Sequence, residues 1–516
     1  MKQATRDASI EYLLDLLALG AGSVSVFAFA PFQYAALAPV SLFLLFQSWH
    51  HATTLRASIR GYLFGLGQFG TGAHWVYISM HDYSGADAVE ASGLTVLFVA
   101  SLALYPALAG WLSLRLGRSV APAWSKAVLQ PAVWVGVEWF RGWFLTGFPW
   151  LQIGYTQIDT LLGQALAPLG GVYAVSLCVA LLAGLLVVVF DATQGRWSRI
   201  AATLAVPALV GACHPLSQMI WTQPVGHPIA VALLQGNISQ QLKWQPAIKQ
   251  ATLTKYRDLT RQNWDARLII WPETAVPAFL HQVKQDYLAD LQAEATEHGT
   301  DVLIGIPVMS EATRRYSNAL VSLTPEAGAY HKRHMVPFGE YLPLRRLFGF
   351  VLDMLQIPLA DFEPGAEHQP PLRAVGYPLG ASICFEDVFG YEVRKFLPEA
   401  AFLVNVTNDA WFGNSIEPFQ HHQMARMRAL ETGRYLLRAT NTGITSIIAP
   451  TGQVVMQSPQ FWEGALRGQF QAMAGATPYV RWGDVPLIGL IGFTLAILRL
   501  LSRLHEPGGE AGSRIG

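Results

Sequence analysis

The chain has 516 residues, and its 35 basic and 35 acidic side chains give a formal net charge of zero. Only 14% of the residues are charged, against about 25% in soluble globular proteins, whereas 52% are apolar. This balance gives no electrostatic basis for nucleic-acid binding, and three cysteines do not make a disulfide framework.

Long apolar stretches fill residues 1–227 and return near the C-terminus. A membrane-spanning helix needs about 20 largely apolar residues. The candidate at about 197–217, the seventh in chain order, is the weakest, because Pro207, His214 and Pro215 interrupt it. No clear small-residue cleavage site follows the first span, so we interpret it as a retained helix rather than a signal peptide. We predict eight spans, at about 12–29, 33–49, 58–79, 90–114, 126–146, 167–190, 197–217 and 484–503.

Basic residues mark the two termini and alternate loops. They are Lys2, Arg6, Arg56, Arg60, Arg115, Arg118, Lys126, Arg196, Arg199, Arg499, Arg503 and Arg514. The other loops, near 30–32, 80–89 and 147–166, contain no Lys or Arg. Because basic loops stay in the cytoplasm, we predict a multi-pass protein of a bacterial inner membrane with both termini cytoplasmic. Seven spans then precede residue 228, which puts the polar domain in the periplasm.

Two charges interrupt the fifth predicted span. Glu138 and Arg141 lie three residues apart, and charges inside a bilayer tend to pair or to serve function. A structural ion pair near the interface and a functional role are both open at this point. The following segment, residues 145–150, reads as an aromatic belt or as the frame of a lipid entrance.

Residues 228–475 alternate between strand-like and helix-like runs, which predicts a layered α/β domain. The domain division is therefore 1–227, 228–475 and 476–516. Helical spacing predicts helices at 245–263, 281–299 and 418–438. Apolar runs predict strands at 228–238, 268–271, 302–306, 319–323, 380–385 and 402–406, with a hairpin formed by 445–449 and 452–455.

Three reactive side chains stand near the ends of apolar runs in this domain. Cys384 is the single cysteine of the polar part of the chain, and Glu273 and Lys332 precede it. A thiol of pKa about 8.5 needs a base for attack, which Glu273 can supply. Lys332 and the backbone N–H of Phe385 are candidate donors to an oxyanion. Glu340 is a second carboxylate for positioning or proton transfer.

The trio resembles the nitrilase superfamily, and the whole chain resembles the bacterial apolipoprotein N-acyltransferase family. The specific segments are Leu234–Asn237 with Lys243–Trp244, Trp271–Ala275, Lys332 with Val336–Tyr341, Ile383–Glu386, Asn405–Phe412 and Glu138–Gly142. The resemblance implies an αββα sandwich beside a bundle of about eight transmembrane helices. It also implies that Glu273 is the general base, Lys332 the oxyanion-stabilising cation and Cys384 the nucleophile.

By the same resemblance, Glu340, Trp244 and Glu386 align with further residues that the family needs, and Phe385 stands where some members have Tyr. The implied reaction is ping-pong. A phospholipid, phosphatidylethanolamine in our interpretation, donates its sn-1 acyl chain to Cys384. The α-amine of a diacylglyceryl-modified N-terminal cysteine of an apolipoprotein then accepts it. One chain carries the full trio, so we expect a functional monomer.

An apolar segment with two arginines, residues 344–363, is unusual for a soluble loop. We interpret it as an arm that dips into the membrane interface and gates lipid entry; a helix packed on the domain is the alternative.

Other functions compete with acyl transfer. A membrane-tethered amidase or nitrilase would use the same trio to hydrolyse a C–N bond, and a transporter or scaffold would have lost catalysis. We predict no metal, because His421 and His422 are adjacent and lack a spaced set of Cys or Asp ligands. We also predict no cofactor, since the phospholipid ester is already the acyl donor.

Overall fold

A computed structural model describes residues 2–310, 313–323, 328–341 and 362–504. The arm predicted at 344–363 lies outside the described residues except for its last two positions.

The N-terminal half is a helical bundle. Its main helices are α1 (Lys2–Ser25), α2 (Leu37–Ser48), α3 (Thr54–Gly72), α4 (Ala88–Gly117), α5 (Gln130–Arg141), α6 (Leu161–Phe190) and α7 (Arg196–Ser217). Short helical turns join them at Val26–Ala28, Val76–Ile78, Ser79–Tyr83, Pro122–Trp124, Ser125–Leu129, Phe144–Thr146 and Ile153–Gln157.

Among the described residues, five helices are long and apolar enough to cross a membrane: Ser9–Ala28, Ala88–Gly117, Leu161–Phe190, Arg196–Ser217 and Val485–Ser502. The weakest predicted span is one of them. The other three predicted spans fall on α2, α3 and α5. Helix α2 has 12 residues and reaches only about 18 Å, short of a hydrocarbon core of about 30 Å. Helix α5 continues without a break from the helical turns Pro122–Trp124 and Ser125–Leu129, but it carries the buried charges of Glu138 and Arg141. The count of eight is therefore not confirmed.

The basic loops meet at one end of the bundle. Contacts between them are Arg56 to Asp15 (2.6 Å), Arg118 to Thr54 (3.1 Å), Arg499 to Ser119 (3.5 Å) and an ion pair of Lys126 with Asp191. The α/β domain packs instead on the loops that follow α1, α3 and α5, where Ala30, Gly72 and Asp159 contact it.

The α/β domain contains twelve described strands. They are β1 (Thr222–Gln235), β2 (Leu268–Ile270), β3 (Asp301–Met309), β4 (Tyr316–Ser322), β5 (Ala329–His331), β6 (Leu372–Ala374), β7 (Tyr377–Ile383), β8 (Phe402–Thr407), β9 (Leu436–Thr440), β10 (Ser446–Ile448), β11 (Val454–Gln457) and β12 (Gly464–Gly475). They form two six-stranded sheets, in the orders β12-β1-β2-β3-β4-β5 and β11-β10-β9-β8-β7-β6.

Each sheet has a parallel centre and antiparallel edges. Strands β1, β2 and β3 run parallel, as do β7, β8 and β9. Fully buried strands such as β8 read as continuous apolar runs, because both faces of the sheet are covered. The carboxyl ends of these parallel strands lie at one edge of each sheet, where α/β folds place their sites.

The remaining helices are α8 (Pro246–Arg261), α9 (Leu280–Val283), α10 (Tyr287–His298), α11 (Gly390–Arg394), α12 (Glu417–Thr432), α13 (Pro478–Trp482) and α14 (Val485–Leu504), with short turns at Cys384–Val388 and Asp409–Phe412. One apolar core lies between the two sheets. A second joins α8 and α10 to the outer face of the first sheet, and a third joins α12 to the second sheet. The result is the four-layered αββα sandwich that the sequence predicts.

Two predicted boundaries are wrong. The helix predicted at 418–438 ends at Thr432, because Gly433 adopts a left-handed conformation (φ 63°) and β9 follows. The helix predicted at 281–299 divides into α9 and α10. The predicted strands are present with shifts of a few residues. The predicted hairpin is the antiparallel pair β10–β11.

The bundle and the sandwich share one apolar core. It includes Val388, Met424, Met427 and Leu430 from the α/β domain. Helix α6 is broken at Gly171, which has φ 67° and ψ −169°. This break exposes the backbone N–H of Val172, and Glu431 of α12 accepts a hydrogen bond from it at 2.7 Å.

We expect Gly171→Ala to destabilise the junction between the domains. A Cβ at residue 171 would lie 2.6 Å from the Tyr479 ring, and this backbone region is essentially restricted to glycine, with a cost of about 1–3 kcal/mol. Thermal unfolding of the detergent-solubilised protein, followed by tryptophan fluorescence, measures the loss. Gly20→Ala is the control, because no atom lies within 4 Å of the position that its methyl group would take; equal melting temperatures for both variants would contradict the prediction.

Candidate active site

Cys384 lies directly after β7, at the start of the short turn Cys384–Val388. Its φ is 51°, a left-handed conformation that few non-glycine residues adopt and that clusters at functional sites. Burial raises the pKa of the thiol well above its ordinary value, and Glu273 raises it further while Lys332 opposes the shift. The resting thiol is therefore protonated and needs a base.

Glu273 follows β2 and is 7% exposed. Its Oε1 accepts a hydrogen bond from Asn318 Nδ2 at 2.5 Å. The Cys384 thiol also lies close enough to this carboxylate to lower its pKa. Burial raises the pKa of Glu273, and Lys332 partly opposes that rise. A carboxylate with increased proton affinity beside a protonated thiol is the pair that proton abstraction requires.

Lys332 follows β5 and is 2% exposed. Its Nζ lies 2.7 Å from Glu340 Oε1 and 3.8 Å from Glu273 Oε1. Burial lowers the pKa of Lys332, but the carboxylates of Glu340 and Glu273 outweigh it and raise the pKa overall. The ammonium is thus held in its charged form. Glu340 is itself fixed by the backbone N–H of Val336, at 2.8 Å from Oε2.

Glu386 links the residues on either side of Lys332 to the turn Cys384–Val388, which we call the cysteine turn. Its carboxylate accepts hydrogen bonds from the Tyr330 hydroxyl (2.9 Å) and from the backbone N–H groups of Arg333 (2.6 Å), His334 (3.1 Å) and Ile383 (2.7 Å). It is 1% exposed. The structure therefore brings Glu386 beside the trio as an anchor for both segments.

Phe385 contacts the membrane bundle. Its ring stacks on Trp150 at 5.9 Å between centroids and an interplanar angle of 13°. Trp150 in turn contacts Phe148 and Trp75, each at 5.5 Å. These four rings, which we call the aromatic cluster, place the residue after Cys384 directly against the bundle.

Glu138 and Arg141 hold the loop that carries Trp150. Glu138 Oε1 accepts a hydrogen bond from the Ile153 N–H at 2.9 Å. Arg141 Nη1 donates to the backbone oxygens of Trp150 (2.5 Å) and Phe148 (2.8 Å). Both side chains are buried, so these charges organise the part of the aromatic cluster that belongs to the bundle.

The described contact of Trp244 is with Phe279 and not with the trio. Its side chain is 49% exposed and its ring lies 6.3 Å from that of Phe279. The preceding residue is the one that reaches the site: Lys243 is buried and its Nζ lies 3.4 Å from the backbone oxygen of Glu273. Burial lowers the pKa of Lys243 to about 8, and Glu273 opposes that shift.

The sequence analysis missed several polar residues near Cys384. Asn318 contacts Glu273 from β4, and Tyr330 contacts Glu386 from β5. Behind the cysteine turn lies a buried charged set, Asp387, Asp409, His421 and Arg438. Of this set, Asp409 belongs to the segment Asn405–Phe412 that the sequence analysis names, but its partners come from other elements.

His421 does have a spatially assembled set of acidic neighbours, contrary to the spacing argument. Ligand atoms of Asp409, Glu417 and His421 lie within 4.8 Å of one another. Both ring nitrogens of His421 contact carboxylates, at 2.8 Å from Asp387 and 3.1 Å from Asp409, and Arg438 also contacts both aspartates. The cationic side chains thus already balance the acidic ones, a donor set that suits an ion-pair network better than a metal.

Comparison with known families agrees with this architecture. Residues 21–185 match the model for the apolipoprotein N-acyltransferase N-terminal domain, and residues 230–479 match that for carbon-nitrogen hydrolase. Fold and site thus define an acyl-transfer or hydrolytic enzyme class in which a carbon-nitrogen hydrolase domain is joined to a membrane bundle.

Similar chains extend over almost the whole length. A protein named apolipoprotein N-acyltransferase from Methylococcus capsulatus is 56% identical over 495 residues, covering 95% of this chain and 97% of the relative. One of the same name from Nitrosomonas europaea is 43% identical, covering 94% and 96%. One from Pseudomonas aeruginosa strain PAO1 is 41% identical, covering 95% and 96%. The chain belongs to the apolipoprotein N-acyltransferase family.

Solved structures resemble the α/β domain. A carbon-nitrogen hydrolase from Helicobacter pylori G27 matches with a TM-score of 0.36 and 15% identity, covering 55% of this chain and 96% of that one. An amidase from Nesterenkonia sp. matches with a TM-score of 0.35 and 19% identity, covering 51% and 97%.

We expect Glu386 to make stability depend on pH. Burial raises its pKa from 4.5 to about 7, against the opposing effect of the backbone N–H groups that it binds. The folded state therefore binds this proton more tightly than the unfolded state. The resulting stabilisation is complete below pH about 4.5, is lost as pH rises through about 7, and amounts to roughly 3 kcal/mol.

Glu386→Gln removes this titration. The measurement is the melting temperature of the wild type minus that of the variant, between pH about 4.5 and about 8 in one detergent. This difference in melting temperature should fall as pH rises. If the melting temperatures of the two proteins change with pH in parallel, the titration does not belong to Glu386.

Proposed function

We propose that this chain transfers the sn-1 acyl chain of a membrane phospholipid, phosphatidylethanolamine, through a thioester at Cys384 to the α-amine of the diacylglyceryl-cysteine of apolipoproteins. The product is a triacylated lipoprotein. The observation that carries the proposal is the trio of buried Glu273, buried Lys332 and half-buried Cys384, directly beside the aromatic cluster at the membrane bundle.

In the first half-reaction, Glu273 takes the thiol proton as Cys384 Sγ attacks the ester carbonyl. The carbonyl oxygen becomes an oxyanion, which faces the ammonium of Lys332 and the backbone N–H of Phe385. The tetrahedral intermediate collapses with cleavage of the ester C–O bond. The leaving alkoxide takes the proton from Glu273 and departs as a lysophospholipid, so that the enzyme holds the acyl chain as a thioester.

In the second half-reaction, the neutral α-amine attacks the thioester carbonyl. Glu273 takes a proton from the attacking nitrogen, and the same cationic and backbone groups face the oxyanion. Cleavage of the C–S bond forms the amide and releases the thiolate, which recovers its proton from Glu273. Glu340 keeps Lys332 oriented through both halves. No proton, electron or cofactor is consumed overall.

The position of the trio favours transfer over hydrolysis. Both substrates carry acyl chains that prefer the bilayer, so a site tethered at both ends to membrane helices raises the effective concentration of the reacting groups. The aromatic cluster and the buried surroundings of Cys384 limit access of water to the thioester. We propose that the substrates are contacted, or their site supported, by Phe385, Trp244 and Glu386.

The proposed arrangement in the cell follows from the distribution of charge. The basic loops lie at the end of the bundle opposite to the loops that contact the α/β domain. With basic loops cytoplasmic, we propose an inner-membrane protein with cytoplasmic termini and a periplasmic catalytic domain. Its domains are 1–227, 228–475 and 476–516, and one chain carries a complete site.

Intact-protein mass spectrometry tests the thioester. Purified enzyme incubated with phosphatidylethanolamine should gain the mass of one acyl chain, hydroxylamine should remove it, and Cys384→Ser should not show a hydroxylamine-labile adduct. Adding a diacylglyceryl peptide with a free α-amine should discharge the adduct onto the peptide. No adduct, together with ammonia released from a soluble amide, would replace the proposal with a membrane-tethered amidase.

The pH dependence of acylation tests the role of Glu273. Its raised pKa means that the carboxylate is protonated, and so lost as a base, at a higher pH than an ordinary glutamate. Single-turnover acylation should therefore fall as pH decreases, with a midpoint above pH 4.5. Glu273→Gln should slow acylation by about 10²–10⁴-fold and abolish this limb of the profile. If Glu273→Gln retains the fall in acylation rate at low pH that the wild type shows, another group is the base.

A further inference from the structure

A buried network contacts the cysteine turn through groups other than Glu273 and Lys332. Asn405 Nδ2 donates to the backbone oxygen of Cys384 at 3.3 Å. Asn405 Oδ1 accepts from Arg438 Nη1 at 2.6 Å, and the same guanidinium lies 3.0 Å from Asp387 and 3.3 Å from Asp409. One arginine thus connects the start of the turn, at Cys384, with Asp387 three residues later.

His421 closes the network from α12. Its Nε2 lies 2.8 Å from Asp387 Oδ1, and its Nδ1 lies 3.1 Å from Asp409 Oδ1. Only a doubly protonated imidazole can donate to both carboxylates. The residues Asp387, Asn405, Asp409, His421 and Arg438 are all 1% or less exposed except His421, which is 2% exposed. We call these five residues the turn clamp.

The charges of the turn clamp balance. Burial and Arg438 lower the pKa of His421, but Asp387 and Asp409 outweigh them and raise it to about 9. Burial raises the pKa of the neighbouring Glu417 well above its ordinary value, and Asp409 adds to that rise, so this carboxyl is neutral. Two cations then face two carboxylates, the arrangement in which buried charges are tolerated.

The turn clamp also reaches the membrane bundle. The His421 ring lies 5.7 Å from the ring of Trp150, which stacks on Phe385. The adjacent Gln420 accepts a hydrogen bond from Trp150 Nε1 at 3.1 Å. The turn clamp and the adjacent Gln420 therefore contact both the cysteine turn and the aromatic cluster.

We propose that Asp387, His421 and Arg438 are positioning residues that hold the left-handed turn of Cys384 in place, so that its thiol faces Glu273 and its acyl group faces the bundle. The strained φ of Cys384 supports this role, because such a conformation persists only where the surrounding structure over-determines it. The part concerning the acyl group rests on the proposed function.

The test compares Asp387→Asn and His421→Gln with His422→Gln. Asp387→Asn is isosteric, so it removes the charge with little change in volume. His422 is the matched control, because it is buried on the same helix and contacts Ser446 Oγ at 2.9 Å instead of the turn clamp. Its pKa is lowered well below the ordinary value by burial, so it carries no charge.

The first readout is single-turnover formation of the acyl-enzyme over a range of phosphatidylethanolamine concentrations in mixed micelles. Both clamp variants should slow the step at saturating lipid by about tenfold or more, because a misplacement of about 1 Å can cost about 10²-fold. The half-saturating lipid concentration should not change, and His422→Gln should match the wild type. Wild-type rates in folded clamp variants, or a change in half-saturation alone, would overturn the proposal.

The second readout does not depend on acyl transfer. Alkylation of Cys384 by iodoacetamide at pH about 8 should accelerate by about threefold or more in the clamp variants, since a thiol that leaves its buried position beside a carboxylate ionises more readily. Cys178 and Cys213, buried in the membrane bundle, report unfolding and should stay unmodified. An unchanged Cys384 rate would refute the clamp even if the wild type forms a thioester. If the wild type forms no thioester, a faster rate in the variants still supports the clamp.

Discussion

Helix α12 carries the interaction on which the rest of the structure depends, the polar contact between the α/β domain and the membrane bundle. All of its residues except Phe419 are buried, although many are polar or charged. Gln420 binds Trp75 and Trp150 of the bundle, and Gln423 accepts from the Ala30 N–H. Buried polar groups are costly without partners, and these hydrogen bonds form only when the two domains are docked.

That docking gives the thiol its environment. The same helix that binds the bundle supplies His421 to the back of the cysteine turn, while strands of both sheets supply Glu273, Lys332 and Cys384 to its front. Burial keeps the thiol protonated by raising its pKa, and it raises the proton affinity of Glu273. In the proposed mechanism, a low dielectric also strengthens the attraction between Lys332 and developing negative charge. Reactivity would then depend on exclusion of water as much as on residue identity.

Acyl transfer imposes a second demand, which the aromatic cluster and the broken helix α6 meet. A lipid-facing site must keep the catalytic domain close to the bilayer without leaving backbone groups unsatisfied. At the break in α6 the free N–H of Val172 binds Glu431, and Arg141 binds backbone oxygens of the loop carrying Trp150. The irregular backbone at the α6 break and in the Trp150 loop therefore lies where other protein groups bind its free N–H and C=O groups.

The sequence by itself determined the membrane bundle, the layered α/β class and the candidate trio, because each depends on a local pattern, whereas the αββα arrangement was implied by the family resemblance. Apolar runs predict the strands that lead to Glu273 and Cys384, whereas the short strand before Lys332 was not predicted. The limit of α12 at Gly433 was missed, since the apolar spacing continues across it into β9. The length of α2 was also overestimated, because apolar character continues beyond its helical residues.

Only the tertiary structure decided which polar groups surround the trio. Asn318 and Glu273 are 45 residues apart, Tyr330 and Glu386 are 56 apart, and Arg438 and Asp387 are 51 apart. Each pair forms because strands from distant parts of the chain align their ends, and no local spacing encodes that alignment. The same holds for His421, whose charge and role depend on two carboxylates contributed by other elements.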